Sequence, residues 1–366
     1  MLLFLVAFLV STTLCALMVR FQIPDIGWGT DFETKPQKAH DGSPSRIGGV
    51  SIFIAMVSCW VVFWFKNPNI ASMLLLILAS SLPVFFTGLW EDITKNVNFM
   101  IRFALSLVSA ALLIFFLGTP TVRVDIGPLD TLLLYFPASF LFLCIAISGL
   151  CHAYNLIDGL NGLASMVGIL SLLAILYVGI KTNDLMMIYL CAIGIGAILG
   201  FFLWNYPQGL IFLGDGGAYF IGFWIAALSV LVVVRNPSVS PWFALAVNTY
   251  PVFETLFSIW RRSIHQNRHV MMPDGAHFHS LIYRRIMRWT NPNSEREHHY
   301  LSNAKTSPYL WLLSSMGLIP AVLFWNSTQS LMITSALFIV LYVYLYRRIV
   351  RFKTPSWMAN RPPRNR

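Results

Sequence analysis

Two short segments place a carboxylate among glycines between long apolar runs of the sequence. Asp158 lies in the segment 155–162, which reads Asn-Leu-Ile-Asp-Gly-Leu-Asn-Gly, and Asp215 lies in the segment 212–217, which reads Phe-Leu-Gly-Asp-Gly-Gly. Glycine permits tight turns and lets the backbone approach a ligand closely, and a carboxylate is a natural ligand for a hard cation. Either Asp-Gly pair alone is typical of an ordinary turn, so the chemistry depends on whether the fold brings the two together.

The composition indicates that membrane-spanning helices position these segments. Hydrophobic residues make up 57% of the 366 residues, charged residues make up 11%, and the mean hydropathy is +0.68, far from the averages of soluble domains. A spanning helix needs about 20 apolar residues, whereas barrel strands would alternate apolar and polar positions. We therefore predict an all-α, polytopic integral membrane protein with about 11 transmembrane helices. The apolar runs are Leu2–Val19, Gly48–Phe65, Ala71–Trp90, Phe99–Leu117, Leu132–Leu150, Leu163–Ile180, Leu185–Leu203, Ala218–Val234, Trp242–Ile259, Tyr309–Phe324 and Leu331–Tyr346.

The distribution of basic residues predicts which ends of the helices face the cytoplasm. Lys and Arg are retained in cytoplasmic loops, and if the N-terminus is outside, all but four of the 25 basic residues fall inside. We therefore predict that the N-terminus lies outside and that the C-terminus is cytoplasmic. We assign residues 1–346 to one transmembrane domain and residues 347–366 to a basic cytoplasmic tail. The predicted cytoplasmic loops are 21–47, 91–98, 151–162, 204–217 and 261–308.

Acidic residues that follow the apolar runs gather on this one predicted face. Glu91 and Asp92 follow the third run, Asp158 follows the fifth and Asp215 follows the seventh. Carboxylates on the side that otherwise collects Lys and Arg indicate a countercharge that the sequence does not supply. Oxygen ligands favour a hard divalent ion, so we predict Mg²⁺ or Mn²⁺, which commonly binds carboxylates together with the phosphates of a substrate.

Polar residues near these acids leave two interpretations open. Lys95 is either a ligand-binding residue or a basic anchor at the membrane edge. Asn155 and Asn161 either contact a ligand or form hydrogen bonds that cap or join helices.

The loop 261–308 contains six of the eight histidines and is the longest predicted soluble segment. Its basic residues suit either a lipid surface or specific recognition. His277 and His279 have the spacing of a zinc-binding pair, but nothing nearby completes four ligands, so we interpret them as donors to phosphate oxygens.

Glu254 lies inside the ninth apolar run beside Pro251, and an acid within a membrane span is a functional candidate.

The order of these motifs resembles that of the polyprenyl-phosphate N-acetylhexosamine-1-phosphate transferases, which form glycosyltransferase family 4. The segment 155–162 is similar to the family motif Asn-x-x-Asp-Gly-x-Asp/Asn-Gly, and the segment 213–217 is similar to Gly-Asp-x-Gly. The resemblance covers nearly the whole chain, because the spans and the order of the motifs also agree.

Three further segments resemble family motifs. The segment 35–40 followed by Gly48-Gly49 is similar to the first cytoplasmic motif, and Pro273-Asp274 with the two histidines is similar to the histidine motif. Glu91-Asp92 stands where the family usually has paired aspartates. The sequence departs from the family at Glu91 and also at Ser280, which replaces a histidine found in some members.

The resemblance implies an enzyme that moves a sugar 1-phosphate from a UDP-linked N-acetylated sugar to undecaprenyl phosphate. UMP would be released, and the polyprenyl-diphosphate sugar would start a cell-envelope polysaccharide. The implied catalytic residues are Glu91, Asp92, Asp158 and Asp215, of which Asp158 and Asp215 would bind the metal. The implied substrate-binding residues are Lys38, His40, Lys95, Asn155, Asn161, Asp274, His277 and His279.

The implied location is the bacterial cytoplasmic membrane, with the active site facing the cytoplasm. Membrane lipid is then a further partner, no nucleic acid is expected, and a homodimer is left open.

Two other classes of membrane protein compete with the transferase as interpretations of the sequence. A secondary transporter also contains intramembrane acids and broken helices, although it would carry charges near the middle of the bilayer. A scaffold or lipid-binding subunit would leave the glycine-flanked aspartates unexplained.

Overall fold

The structure, a computed structural model, describes residues 1–21, 44–118, 121–265, 277–284 and 298–351. Throughout these ranges the regular secondary structure is helical, which confirms the all-α prediction. Ten of the helices in the described ranges are long and apolar enough to cross a membrane. In chain order the helices are α1 (Leu2–Arg20), α2 (Gly48–Lys66), α3 (Pro68–Thr94), α4 (Phe99–Leu117), α5 (Gly127–Leu133), α6 (Phe136–Ile157), α7 (Leu163–Lys181), α8 (Leu185–Asn205), α9 (Gly214–Arg235), α10 (Pro241–Ala246), α11 (Thr249–Trp260), α12 (Phe278–Ile282), α13 (His298–Leu323) and α14 (Thr328–Val350).

The ninth apolar run does not form the single continuous helix that its sequence predicts. It is divided into α10 and α11, because Pro251 has no N–H to donate to the carbonyl of Val247 four residues earlier. That carbonyl instead accepts a hydrogen bond from Ser171 Oγ at 2.9 Å. Asn248 is buried at the break, where its Nδ2 donates to Ser229 Oγ at 3.1 Å. The described chain therefore has one continuous span fewer than expected.

Helix α9 forms the centre of the bundle. Its residues are apolar on every side and nearly all are buried, as expected for a helix surrounded by other helices. Helices α2, α3, α6 and α7 pack against it. At its far end Arg235 forms an ion pair with Asp184, which caps α8, at 2.7 Å from Nε to Oδ2. The position of α9 thus sets where its first turn, which contains Asp215, meets the neighbouring helices.

Helices extend further into the predicted loops than the hydropathy pattern indicates. Helix α3 continues through Glu91 and Asp92 to Thr94, α9 begins at Gly214, and α13 begins at His298. A polar residue does not end a helix when another helix supplies its hydrogen-bond partners, and Asp92 has such partners. Glu91, Asp92 and Asp215 therefore lie on helix ends, which hold them more rigidly than loops would.

Candidate active site

Asp92 caps the central helix from the end of α3. The residue is only 1% exposed, and its two carboxylate oxygens accept hydrogen bonds from the first turn of α9. The N–H of Asp215 donates to Oδ1 at 2.8 Å and the N–H of Gly216 donates to Oδ2 at 2.9 Å. These N–H groups have no partner within their own helix, so the side chain of Asp92 supplies an acceptor to each of them. Asp92 therefore fixes the start of α9 and the position of Asp215.

Glycines allow the helices to approach closely enough for these hydrogen bonds. A Cβ atom at Gly88 of α3 would lie 2.5 Å from the Cα of Gly216 in α9. Gly49 of α2 faces Gly217 in the same way. Gly216 and Gly217, which the sequence analysis related to ligand binding, thus allow the helix backbones to pack closely.

Arg102 of α4 joins two of the acids. Its Nη1 lies 2.7 Å from Asp215 Oδ2 and 4.0 Å from Glu91 Oε1. Glu91 also accepts a hydrogen bond from the N–H of Val97 at 2.7 Å, which holds the connection between α3 and α4. Sequence reasoning missed Arg102. The signal that identifies it is its position as the single charged residue of an apolar helix, where a charge is a functional candidate.

Asp158 directly follows α6 and lies close enough to Asp215 for their charges to interact. Burial and the negative charge of Asp215 raise the pKa of Asp158 to about 7, and the positive charge of Arg46 limits the rise. Arg46, just before α2, is a second residue that sequence reasoning missed. The structure thus brings together carboxylates that are far apart in the sequence, with Arg46 and Arg102 as nearby cations.

The histidine segment contacts the loop that carries Asp158. His279 of α12 is buried, and its Nε2 would lie 2.5 Å from a Cβ atom added at Gly159. Its ring stacks on that of His277, with centroids 5.5 Å apart and planes 2° from parallel. Glycine at position 159 therefore makes room for the imidazole next to Asp158.

A buried network holds the histidine segment in place. His277 Nε2 lies 3.0 Å from Arg262 Nη2, and because a guanidinium only donates, the imidazole must accept there and carry its proton on Nδ1. That nitrogen lies 3.4 Å from Glu254 Oε1, which also accepts from the N–H of Phe278 at 3.1 Å. Glu254 Oε2 accepts from the hydroxyl of Tyr342 in α14. Glu254 thus anchors the histidine segment to the helix bundle.

Replacing Gly159 with alanine should lower kcat by about one to two orders of magnitude, because small displacements of groups at a reaction centre have effects of this size. The new methyl group would overlap the ring of His279 and displace it. Gly127→Ala at the start of α5 is a matched control, since no atom lies within 4 Å of a Cβ added there. Steady-state kinetics of both variants test the contact, and equal kcat values would contradict it.

Replacing Tyr342 with phenylalanine should destabilise the protein by about 1–3 kcal/mol, because Glu254 would lose the donor to its buried Oε2. Tyr344→Phe on the same helix is the control, since Tyr344 is exposed. Thermal unfolding in detergent compares the two variants. If both unfold at the same temperature, the hydrogen bond to Glu254 has no measurable role in stability.

Asn161 is buried and joins three segments of the chain. Its N–H donates to Asn303 Oδ1 of α13 at 2.8 Å, and its Nδ2 donates to the carbonyl of Pro207 at 3.1 Å. The hydroxyl of Ser307 donates to its carbonyl at 2.6 Å. The sequence leaves open whether Asn161 contacts a ligand or forms hydrogen bonds that join helices. These contacts agree with the second interpretation.

The other predicted substrate-binding residues fall in two groups. Asn155 is half-buried in the last turn of α6, and Lys95 ends α3 with a φ of 53° in the left-handed region. Lys38, His40 and Asp274 lie outside the described residues.

Asp158 and Asp215 offer a donor set that suits a hard divalent cation. Within the described ranges, no group of three or more His, Cys, Asp or Glu side chains is arranged to hold a metal. Mg²⁺ commonly uses one or two carboxylates and takes its remaining ligands from water and substrate phosphates. A two-carboxylate site completed by a phosphorylated substrate therefore fits these residues.

The fold and the site together define a multi-pass membrane protein whose charged end is suited to phosphate chemistry. Residues 73–233 match the family model described as "Glycosyl transferase family 4". The chain is 30% identical over 275 residues to a phospho-N-acetylmuramoyl-pentapeptide-transferase of Streptococcus uberis (strain ATCC BAA-854 / 0140J), with 70% of this chain and 79% of the relative covered. The chain belongs to glycosyl transferase family 4, which confirms the resemblance that its motifs indicate.

The names of two further relatives include undecaprenyl phosphate. A "Probable undecaprenyl-phosphate N-acetylglucosaminyl 1-phosphate transferase" of Bacillus subtilis (strain 168) is 29% identical over 254 residues, which cover 66% of this chain and 66% of that protein. An undecaprenyl-phosphate alpha-N-acetylglucosaminyl 1-phosphate transferase of Thermotoga maritima (strain ATCC 43589 / DSM 3109 / JCM 10099 / NBRC 100826 / MSB8) is 27% identical over 264 residues, which cover 71% and 76%. The match thus covers just under two thirds of the length of the Bacillus subtilis protein. All three relatives are named as transferases, so the alternative of a secondary transporter gains no support.

Proposed function

We propose that this chain transfers a sugar 1-phosphate from a UDP-linked N-acetylated sugar to undecaprenyl phosphate and releases UMP. The observation that carries the proposal is the convergence of Asp158, Asp215 and His279 from three separate segments at one end of the bundle. Membership of a family whose relatives are named for this reaction supports it. The product would be a polyprenyl-diphosphate sugar that starts a cell-envelope polysaccharide.

The reaction joins two anions, which makes charge neutralisation its main requirement. An oxygen of the lipid phosphate attacks the sugar-bearing phosphorus of the nucleotide, and the bond from that phosphorus to the bridging oxygen breaks as UMP leaves. Two like charges about 4 Å apart repel by roughly 4 kcal/mol at an effective dielectric constant of about 20. Several such pairs meet in this reaction, so positive charge must surround the diphosphate before the lipid phosphate can approach.

The described residues can supply this positive charge in two ways. Asp158 and Asp215 would hold Mg²⁺ or Mn²⁺, which neutralises the diphosphate and stabilises the charge on the departing UMP when bound. Arg102 and His279 lie beside these acids and can donate to phosphate oxygens. The further proposed substrate contacts are Lys38, His40, Lys95, Asn155, Asp274 and His277.

Asp92 positions other groups in this mechanism and does not remove a proton. Both of its oxygens already accept hydrogen bonds from the backbone of α9. A phosphate monoester loses its second proton with a pKa of about 6, so the lipid phosphate is largely dianionic at neutral pH. A general base is therefore not required for the attack.

The prenyl chain needs a groove that opens to the lipid, because it is too long for a closed pocket. A largely apolar groove of about 570 Å³ runs between α6, α9, α10 and α11, and its lining includes Trp242, Val252 and Ile259. The helix break next to Pro251 contributes to this groove. Pro320, the other proline that could bend a helix nearby, does not line it. We assign the prenyl chain to this groove, with the phosphate at the acidic site in the cytoplasmic leaflet of the bacterial inner membrane.

The decisive experiment measures UMP release from purified full-length protein in nanodiscs with undecaprenyl phosphate and Mg²⁺. A panel of UDP-N-acetylated sugars identifies the donor, and the Asp215→Asn variant is the control for contaminating activity. We expect UMP with at least one sugar and its loss in the variant. Absence of UMP with every sugar, from protein that remains folded, would contradict the proposed reaction.

A further inference from the structure

A second groove lies between α11 and α14, at the end of these helices that carries their arginines. Its volume is about 750 Å³. Its walls are apolar and largely aromatic, formed by Phe253, Leu256, Phe257, Trp260, Val343 and Val350. Leu256 is 57% exposed and Trp260 is 44% exposed, as expected for side chains that face the acyl region of a bilayer. Leu256 of α11 lines both this groove and the one that we assign to the prenyl chain, but the opposite walls differ: α14 forms the wall here, whereas α6, α9 and α10 form the walls of the other groove.

The mouth of this groove is basic. Arg347 and Arg351 are exposed and lie four residues apart, so they share one face of α14. Arg261 also lines the groove, and its guanidinium is bonded to the hydroxyl of Tyr346. None of the ion pairs formed within the described ranges involves Arg347 or Arg351. An apolar groove that ends in uncompensated arginines complements a molecule with apolar chains and an anionic head.

We propose that this groove binds an anionic phospholipid of the cytoplasmic leaflet. Its acyl chain packs between α11 and α14, and its phosphate interacts with Arg347 and Arg351. The location agrees with the predicted topology, since this end of α14 leads into the basic tail on the cytoplasmic side. Anionic lipids of this leaflet attract basic residues close to the membrane, at about a factor of five in binding for each residue.

The bound lipid would stabilise the spacing between α11 and α14. The same two helices are joined by the hydrogen bond from Tyr342 to Glu254 and by the edge-to-face contact of Phe257 with Tyr346, whose centroids are 4.7 Å apart. Because Glu254 also holds the histidine segment, occupancy of the groove would favour turnover. This consequence rests on the proposed function, whereas binding of the lipid does not.

Native mass spectrometry of the full-length protein tests the binding directly. The protein is titrated in detergent with phosphatidylglycerol or with phosphatidylcholine. The detergent is then removed in the mass spectrometer, and the lipids that stay bound are counted. We expect one tightly retained phosphatidylglycerol, binding about fivefold weaker in Arg347→Gln and about thirtyfold weaker in the double variant R347Q/R351Q. Arg348→Gln is the matched control, because it removes the same charge from the same helix turn. Arg348 lies over the ring of Tyr344, at 5.8 Å, and outside the groove.

Three outcomes would overturn the proposal. Equal weakening by Arg347→Gln and Arg348→Gln would indicate general surface attraction and not a defined groove. Displacement of phosphatidylglycerol by one equivalent of undecaprenyl phosphate would assign the groove to the substrate. A lipid-free dimer whose formation depends on Trp260 would assign it to a second copy of the chain. These measurements need no turnover, so failure of the lipid site and failure of the proposed reaction remain distinguishable.

Discussion

Replacing Asp215 with asparagine should abolish measurable UMP release while leaving the bundle folded. The variant keeps the size of the side chain and the N–H groups that Asp92 binds, but it removes the negative charge that pairs with Arg102 at 2.7 Å. It also removes one of the two carboxylates proposed to hold the cation. Loss of neutralisation of even one pair of like charges costs roughly 4 kcal/mol, which corresponds to a rate lower by about three orders of magnitude.

A second ion pair in the same protein provides the matched control. Asp184 pairs with Arg235 at the opposite end of α9, also at 2.7 Å. Asp184→Asn should therefore lower the unfolding temperature without a large change in kcat. Turnover by Asp215→Asn within tenfold of the wild type, with ordinary dependence on Mg²⁺, would remove Asp215 from the site.

The common face of the acids could be predicted from sequence because it depends only on counting helices. Each span reverses the direction of the chain, so the parity of the spans places residues 92, 158 and 215 at the same end. The prediction needs only the approximate limits of each apolar run. It tolerates the error at Pro251, because that break lies after all three positions in the sequence.

The contacts within that face could not be predicted in the same way. Parity assigns a residue to one end of the bundle but says nothing about its neighbours there, which depend on how the helices are arranged around α9. Thus the pairing of Arg102 with Asp215 and the fit of His279 against Gly159 appear only in three dimensions. Asp92 illustrates the same limit. The hydropathy pattern predicts that it lies in a loop, whereas in the structure it lies inside α3 and accepts hydrogen bonds from the first turn of α9.

Replacing Asp92 with asparagine should lower kcat strongly, weaken the binding of Mn²⁺ and leave the KM for the UDP-sugar nearly unchanged. Asparagine has one acceptor oxygen where aspartate has two, so one of the N–H groups of Asp215 and Gly216 would face an amide donor. A buried donor without a partner costs about 1–3 kcal/mol, and the first turn of α9 would shift to relieve it. The carboxylate of Asp215 would move with that turn.

The affinity for Mn²⁺ distinguishes this role from that of a general base. A base that acts only on the lipid phosphate would lose rate on substitution and leave the metal affinity unchanged, since it would not act through Asp215. Electron paramagnetic resonance of Mn²⁺ measures this affinity without turnover. Asn67→Ala is the control, because Asn67 caps the opposite end of α3 through a hydrogen bond from the N–H of Ile70 at 3.3 Å. That variant should lose about 1 kcal/mol of stability and bind Mn²⁺ normally, whereas normal Mn²⁺ binding by Asp92→Asn would favour the base.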